Sequence, residues 1–250
     1  MGLVRTEAFL LQGIRFGETS MIYRLLTSDH GVVPVMARGV RRPKHRYGAH
    51  IEPFARLLVT YYNKDTRGIQ TLKEAERLGD HPAIVSSLER MEAAGAWLRF
   101  VRALVPEGAP AAPLFGLAAV ALARIEAAPV DQLRRWDVYH RLAAIRLLGL
   151  EPQLALCAGC GAALPVDRMA FSIEEGGALC GDCGSSRAGT VPLTGPIYAL
   201  LELYSHPDWT LVRDLNVYRS EETAAREMLL RFVGYHADVG SRAARPERVR

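Results

Sequence analysis

The sequence predicts a multidomain α+β protein, because three kinds of pattern follow one another along its 250 residues. Short runs rich in β-branched and aromatic residues fill the segment before residue 80. Helical apolar periodicity begins at Asp80 and is interrupted once by a segment that holds all four cysteines. We therefore expect a barrel domain at 1–79, a helical domain formed by 80–153 and 191–240, a cysteine module at 154–190 and a basic flexible tail at 241–250.

The first domain is expected to be a small β-barrel. Turn signals separate the β-rich runs, which lie at 8–17, 20–27, 31–39, 55–64 and 69–78. Gly31 and Gly68 can adopt the positive φ that tight hairpins need, and Pro34 predicts an edge position or a bulge in its strand. Five short strands favour an OB-fold, with an SH3-like barrel and a flat sheet as the alternatives.

The helical domain follows from apolar residues at helical spacing. The segment from Asp80 predicts a helix with Asp80 as N-cap and Pro82 in its first turn. Its expected apolar face consists of Ile84, Leu88, Met91, Leu98 and Val101. Further helices are expected at 112–128, 130–150, 194–206 and 220–239. Thr194 and Ser220 are predicted to cap the last two, and Glu221 and Glu222 lie where the helix dipole favours carboxylates.

The cysteines form two matched pairs, Cys157-x₂-Cys160 and Cys180-x₂-Cys183, with 19 residues between them. Four thiolates at this spacing can close a tetrahedral Zn²⁺ site, and nearby glycines allow the sharp turns of two knuckles. The segment between the pairs predicts a hairpin with its turn at Gly176–Gly177. A disulfide pair would need an oxidising compartment, and a redox motif would follow a βαβ pattern. We expect a zinc-ribbon-like module with one structural zinc per chain.

Composition and missing motifs narrow the function. Glu7 precedes any long apolar run, which argues against a signal peptide, and the uncharged segment 108–123 is shorter than the ~20 residues of a membrane span. No Walker A loop, GxSxG, HExxH or GxGxxG sequence occurs, and His140 is interpreted as a core residue. We expect a cytoplasmic, nucleoid-associated protein that is not an enzyme.

A basic stretch at 35–50 suggests a polyanionic partner. The formal net charge is only +4, yet no carboxylate occurs between Asp29 and Glu52. Arginine forks grip phosphates and neighbouring aromatic rings can stack on bases, as single-strand binding requires, whereas a solvated loop is the alternative. The candidate DNA-binding residues are Arg38, Arg41, Arg42, Lys44, His45, Arg46, Tyr62, Lys64 and Arg67, with Arg15 and Arg24 as extensions.

The order of these parts resembles the bacterial recombination mediator RecO family. The resemblance is carried by GETSMIYRLLTSDHG (17–31), MARGVRRPK (36–44), IEPF (51–54), LKEAERL (72–78) and the cysteine pairs. His45 departs from the small polar residue that many relatives have there.

This resemblance implies binding to single- and double-stranded DNA, strand annealing, and loading of RecA onto DNA coated by single-strand-binding protein. It also implies RecR and the acidic C-terminal tail of the coating protein as partners. The candidates for holding that tail are Arg134, Arg135, Arg141 and Arg146, unless they form a solvated helix face. A zinc-ribbon transcription regulator and a DNA-processing enzyme are the other interpretations, and the enzyme would require a clustered acidic metal site.

Overall fold

The computed structural model describes residues 2–42, 47, 51–105, 107–165, 167–208, 210–213 and 217–243. The chain forms two compact units, Met1–Leu133 and Arg134–Arg250. The boundary between them lies inside the segment that the sequence assigns to the helical domain. No helix among the described residues combines the length and apolar character needed to cross a membrane.

The first unit contains a closed five-stranded barrel with the strand order β1-β2-β3-β5-β4. Its strands are β1 (Gly2–Phe16), β2 (Ser20–Thr27), β3 (Gly31–Ala37), β4 (Arg56–Asn63) and β5 (Gln70–Gly79). All neighbouring strands pair antiparallel except β3 and β5, which are parallel. This arrangement agrees with the predicted OB-fold and rules out the flat sheet.

The barrel core follows the alternation of the strands. Leu25, Val35, Leu57 and Leu72 are fully buried, because every second side chain of a strand points inward. Pro34 pairs with Arg24 of β2 and lies just before the short pairing of β3 with β5 at Val35 and Met36. Pro34 has no N–H to donate, and it lies at a position where β3 is not paired with any described residue of β5.

The turns of the barrel agree only partly with expectation. Gly31 adopts a φ of 64°, as predicted for the β2–β3 turn. Gly68 lies in the β4–β5 turn, and its φ is outside the left-handed region. The prediction that Gly68 adopts a positive φ is therefore wrong.

The predicted helix from Asp80 is broken at Ser86 and Ser87 into two helices. The first unit contains α1 (Pro82–Val85), α2 (Leu88–Leu104) and α3 (Ala112–Ala127), followed by a 3₁₀ turn at Val130–Gln132. Ser87 caps α2 by accepting a hydrogen bond from the Arg90 amide. Leu88 and Met91 are 65% and 37% exposed, so their predicted place on the apolar face is wrong. The break changes the helical phase, and α2 buries Trp97 and Phe100 instead.

The N-cap of α1 is also different from the prediction. His81 and not Asp80 occupies the cap position, and its side chain makes no capping hydrogen bond. The carboxylate of Glu126, on α3, accepts hydrogen bonds from the amides of Ala83 and Ile84, both at 2.9 Å. A long-range partner therefore satisfies the free amides of the first turn.

The second unit consists of helices around a small sheet. Its elements are α4 (Leu133–Leu147), β6 (Met169–Ser172), β7 (Gly177–Cys180), α5 (Gly181–Ser185), β8 (Val191–Leu193), α6 (Gly195–Tyr204), α7 (Thr210–Arg213) and α8 (Arg219–Ala243). The sheet order is β7-β6-β8, so the predicted hairpin is present and gains a third strand. Gly177 pairs with Ser172 and belongs to β7, whereas the preceding Gly176 has a φ of 78°.

The N-caps predicted for the last two long helices of the second unit are only partly confirmed. Thr194 occupies the N-cap of α6, but its side chain makes no capping hydrogen bond. Ser220 lies inside α8, so its predicted capping role is wrong. Glu221 accepts a hydrogen bond at 3.3 Å from the Tyr218 amide, and Glu221 and Glu222 occupy the first turn as expected.

Candidate nucleic-acid interface and metal centre

The first part of the basic stretch is fixed to the turn between β1 and β2. The Arg41 amide donates to the Thr19 carbonyl at 3.0 Å, and the Arg41 guanidinium donates to the Glu18 carbonyl at 2.9 Å. The Gly39 amide donates to the Ser20 hydroxyl at 3.3 Å. Residues 38–42 therefore form a hydrogen-bonded turn.

Two further contacts shape this turn. Gly39 has a φ of 72°, and the Arg42 amide closes the turn on the Gly39 carbonyl at 3.1 Å. Tyr47 is completely buried in the barrel core, and its hydroxyl donates to the Arg38 carbonyl at 2.9 Å. The side chains of Arg38, Arg41 and Arg42 are exposed. Among the described residues, no carboxylate forms an ion pair with Arg38 or Arg42.

The remaining cations of the stretch, Lys44, His45 and Arg46, lie outside the described residues. Arg24 is engaged, since its guanidinium forms an ion pair with Glu107 at 2.9 Å and donates to Gln12. Arg15 is exposed near the end of β1, where it pairs with Met21.

The β4–β5 turn holds the other two predicted cations, Lys64 and Arg67, both exposed. The buried side chain of Gln70 organises this turn, because it accepts from the Lys64 amide at 2.9 Å and donates to the Arg67 carbonyl at 2.9 Å. Gln70 of β5 pairs with Val35 of β3. The β4–β5 turn comes before Gln70 in the chain, and Arg38 comes after Val35. In a parallel pair the two chain segments extend in opposite directions, so Lys64 and Arg67 leave the pair on the side opposite to Arg38.

Tyr62, the predicted stacking residue, lies on β4. It pairs with Thr71 of β5, which in turn pairs with Met36 of β3. Paired residues share one face of a sheet, and Tyr62 is half-buried on the outer face of the barrel. The β1–β2 and β4–β5 loops, together with β2 and β3, are the surface that OB-folds use for oligonucleotides.

Phe16 is the functional candidate that sequence reasoning missed. It ends β1, is 51% exposed, and lines a groove of about 480 Å³ together with Met36, Arg38 and Arg42. The sequence signal that could have indicated Phe16 is an aromatic residue directly before a glycine at a predicted turn. In the structure, Gly17 begins the β1–β2 turn with a φ of 59°.

The four cysteines converge on one point. Their sulfur atoms all lie within 4.8 Å of one another, and the sulfurs of Cys160 and Cys180 are 3.8 Å apart. A tetrahedral ion with metal–sulfur bonds of ~2.3 Å requires sulfur–sulfur edges of about 3.8 Å. The donor set and its spacing therefore fit a four-coordinate metal ion.

Backbone hydrogen bonds shape the two knuckles. In the first, the Gly161 amide donates to the Cys157 carbonyl at 2.8 Å, and Gly161 has a φ of 73°. In the second, Cys180 ends β7 and is the N-cap of α5, whose turn holds Cys183. The Cys180 amide donates to the Cys157 sulfur at 3.3 Å, which joins the two knuckles.

The thiols influence one another strongly. Burial raises the pKa of Cys157, but hydrogen bonds from the amides of Cys180, Cys160 and Gly159 lower it to about 6. The pKa of Cys183 is raised to about 12, first by its hydrogen bond with Cys160. Four thiolates this close need a cation to ionise together, and a divalent ion supplies that charge.

The four arginines proposed for partner binding all make contacts within the second unit, and two of them connect α4 to α8. Arg141 is 1% exposed and pairs with Asp137 at 2.8 Å. Arg135 pairs with Glu222 at 3.3 Å, and Arg134 donates to the Thr223 hydroxyl. Arg146 pairs with Glu151 at 3.4 Å. The structure does not present these side chains as one open cationic face, and the partner surface stays a prediction.

Comparison with known families covers nearly the whole chain. The model described as recombination protein O N terminal matches residues 1–80, and the model described as recombination protein O C terminal matches residues 85–245. The chain belongs to the RecO family. The first match ends directly after β5 and therefore coincides with the barrel, and the second begins at the end of α1.

Individual relatives agree with this membership. DNA repair protein RecO of Anaeromyxobacter dehalogenans (strain 2CP-C) is 33% identical over 206 residues, covering 81% of this chain and 80% of the relative. The RecO of Pelobacter propionicus is 32% identical over 199 residues, 79% of each chain. That of an Exiguobacterium species is 30% identical over 222 residues, covering 88% and 85%. RecO membership supports a role in DNA repair and recombination, and it does not favour the transcription-regulator alternative.

Proposed function

We propose that this chain is a recombination mediator that binds single- and double-stranded DNA through its barrel and anneals complementary strands. The observation that carries the proposal is the cluster of exposed Arg38, Arg41 and Arg42 beside the β1–β2 turn, two of which have no carboxylate partner among the described residues. Each exposed guanidinium group can donate two parallel hydrogen bonds to the oxygens of one phosphate.

Annealing needs no catalytic group. Two strands repel each other through their phosphates, and a protein accelerates pairing by neutralising both backbones while leaving the bases accessible. Arg41 fixes the turn through its contact with Glu18, and this leaves Arg38 and Arg42 as the principal phosphate ligands of the described cluster. Lys64 and Arg67 provide a second cationic site on the β4–β5 turn.

The proposed partners are RecR, the acidic C-terminal tail of single-strand-binding protein and, indirectly, RecA. Their support is family membership, since a mediator loads recombinase onto DNA that is already coated. Arg134 and Arg146 are the remaining candidates for an acidic tail, because Arg135 and Arg141 are buried in ion pairs.

For the metal centre we propose one zinc ion per chain, held by Cys157, Cys160, Cys180 and Cys183. Four thiolates are the ligands of structural zinc sites, and a closed shell leaves no position for a substrate. The ion would hold β7, α5 and the first knuckle together.

A strand-annealing assay tests the proposal. The purified protein, without nucleotide, should accelerate pairing of complementary oligonucleotides, and the variant Arg38→Ala/Arg42→Ala should lose most of that acceleration. The matched control is Arg99→Ala/Arg231→Ala, which removes the same charge from exposed positions outside the barrel. Binding to one preferred duplex sequence without any annealing would contradict the proposal.

A further inference from the structure

We propose that Phe16 is a base-stacking residue, and that the groove it lines receives one unpaired nucleotide of a single strand. The base would lie on the Phe16 ring, and Arg38 and Arg42 would contact the adjoining phosphates. This inference rests on the proposed function and deepens it by naming the ligand of one site, an unpaired nucleotide.

The position of the ring is fixed by the hairpin. Phe16 is the last residue of β1 and pairs with Ser20 of β2, and Gly17 begins the turn with a φ of 59°. The Phe16 side chain is 51% exposed, whereas Phe9 on the same strand is 1% exposed. Burial therefore does not account for an aromatic residue at this place, and about half of the Phe16 surface is accessible to a ligand.

The groove is open to solvent, and its volume is sufficient for part of a nucleotide. Its volume of about 480 Å³ lies within the range of about 300–1,000 Å³ typical of small-ligand sites. Phe16 and Met36 supply apolar surface, and the exposed Arg38 and Arg42 supply positive charge on the same groove. An apolar platform beside two guanidinium groups is complementary to a nucleotide, which has a flat base and an anionic phosphate.

The ligand is an unpaired nucleotide and not a duplex, because a paired base keeps both of its faces within the helical stack. Phe16 is also better placed than Tyr62, the aromatic residue that the sequence favoured. Tyr62 is half-buried on β4 and does not line the groove. Phe16 thus supplies a preference for single strands that the arginines alone cannot supply, since phosphates occur in both forms of DNA.

Binding measurements on three DNA probes test this assignment: an oligodeoxythymidylate, the same backbone with abasic sites, and a duplex of equal length. Phe16→Ala should weaken binding to the oligodeoxythymidylate by about 5- to 150-fold, the range for losing one stacked base. It should leave the affinities for the abasic strand and the duplex unchanged, because it removes no charge. Phe16→Trp should retain the wild-type affinity, and Phe16→Leu should not. Leu3→Ala, which truncates an exposed apolar residue of β1 outside the groove, is the matched control.

The outcomes separate this inference from the proposed function. A folded Phe16→Ala protein with wild-type affinity for the oligodeoxythymidylate would overturn the stacking role, and the proposed function would stand if Arg38→Ala/Arg42→Ala still lost binding. An equal loss on the abasic strand would also overturn it, since Phe16 would then act by supporting the arginines. A wild-type protein without affinity for single strands would overturn the proposed function itself.

Discussion

Single residues fix how the barrel joins the helices of its unit, and Gly31 is the clearest case. Its φ is 64°, and a Cβ atom at this position would lie 1.8 Å from the carbonyl oxygen of Ala109. The neighbouring Gly108 amide donates to the Val32 carbonyl at 3.1 Å, so the segment between α2 and α3 packs closely on the β2–β3 turn. Only glycine fits this contact.

We expect Gly31→Ala to lower the free energy of unfolding of the first unit by about 2–4 kcal/mol. Left-handed backbone costs about 1–2 kcal/mol for an L-residue, and displacement of the Ala109 carbonyl adds to that cost. Urea denaturation followed by circular dichroism measures the effect. The control is Gly116→Ala in α3, where a Cβ has nothing within 4 Å and helix propensity predicts stabilisation by about 0.5–1 kcal/mol. Equal midpoints for both variants would contradict the expectation.

A second feature at the level of single residues is the buried carboxylate of Glu222 in the second unit. The Tyr204 hydroxyl donates to Glu222 at 3.2 Å, and Arg135 pairs with the same carboxylate. Burial, followed by the charge of Glu222, raises the pKa of Tyr204 well above its usual value. The phenol therefore remains a hydrogen-bond donor at neutral pH, and Glu222 joins α4, α6 and α8 at one point.

At the scale of elements, the cysteine module is connected to α8. The rings of Phe171 on β6 and Phe232 on α8 are 6.0 Å apart in an edge-to-face arrangement, and the His236 ring nitrogen lies 2.7 Å from the Ile173 carbonyl oxygen. Gly177 forms a bridge with Gln153, where a Cβ would lie 2.3 Å from the Gln153 carbonyl oxygen. Loss of the metal should therefore loosen the helices as well as the sheet.

Metal removal tests this connection. We expect a strong chelator to release one zinc per chain, to lower the Tm of the second unit, and to make all four thiols reactive toward a thiol reagent. The four cysteines of the site are the only cysteines of the chain, so the thiol count reports on this site alone.

The control for this experiment is the same chelator already saturated with zinc, which should leave both the Tm and the thiols unchanged. Freshly purified, reduced protein that contained no zinc, and whose thiols all reacted at once, would contradict a metal centre.

At the scale of the whole molecule, the fold neutralises some arginines by ion pairs and leaves others available to a ligand. A net charge of +4 is small, and several arginines outside the basic stretch are neutralised by ion pairs, including Arg56 with Glu7 and Arg77 with Glu52. Arg38 and Arg42 have no such partner among the described residues. We therefore expect Arg38 and Arg42 to contribute directly to the field that attracts DNA.

The salt dependence of DNA binding measures how many phosphates the protein neutralises. If about four cations each neutralise one phosphate, log K for single-stranded DNA should fall with log salt at a slope near −3, since each contact contributes roughly −0.7. Arg38→Ala/Arg42→Ala should flatten the slope by about 1 to 1.5 and weaken binding similarly for all sequences. This pair is preferred because Arg41 also anchors the turn.

Arg99→Ala/Arg231→Ala, with the same change in net charge, should leave the slope unchanged. Both double variants should remain folded, since exposed charges alter stability by less than ~0.5 kcal/mol. A wild-type slope in Arg38→Ala/Arg42→Ala would mean that DNA follows another path.

Local sequence patterns determined the fold class and the chemistry of the sites. Alternation and turn residues predicted the strands of the barrel, because these signals act over only a few residues. The two CxxC pairs predicted four converging sulfurs, since each knuckle is a local structure. The excess of arginine between Asp29 and Glu52 predicted the position of the candidate interface, because an unbalanced charge run is itself a local feature of the chain.

Tertiary structure alone decided which of those residues are available. Arg141 has the sequence pattern of a surface arginine but is buried, because its partner Asp137 also binds Arg226 of α8. The free amides at the start of α1 are bound by Glu126, which is remote in sequence and which no local motif indicates. Phe16 joins Arg38 in one groove only because β1, β2 and β3 are neighbours in the barrel. Contacts of this kind depend on residues far apart in the chain, and local periodicity carries no information about them.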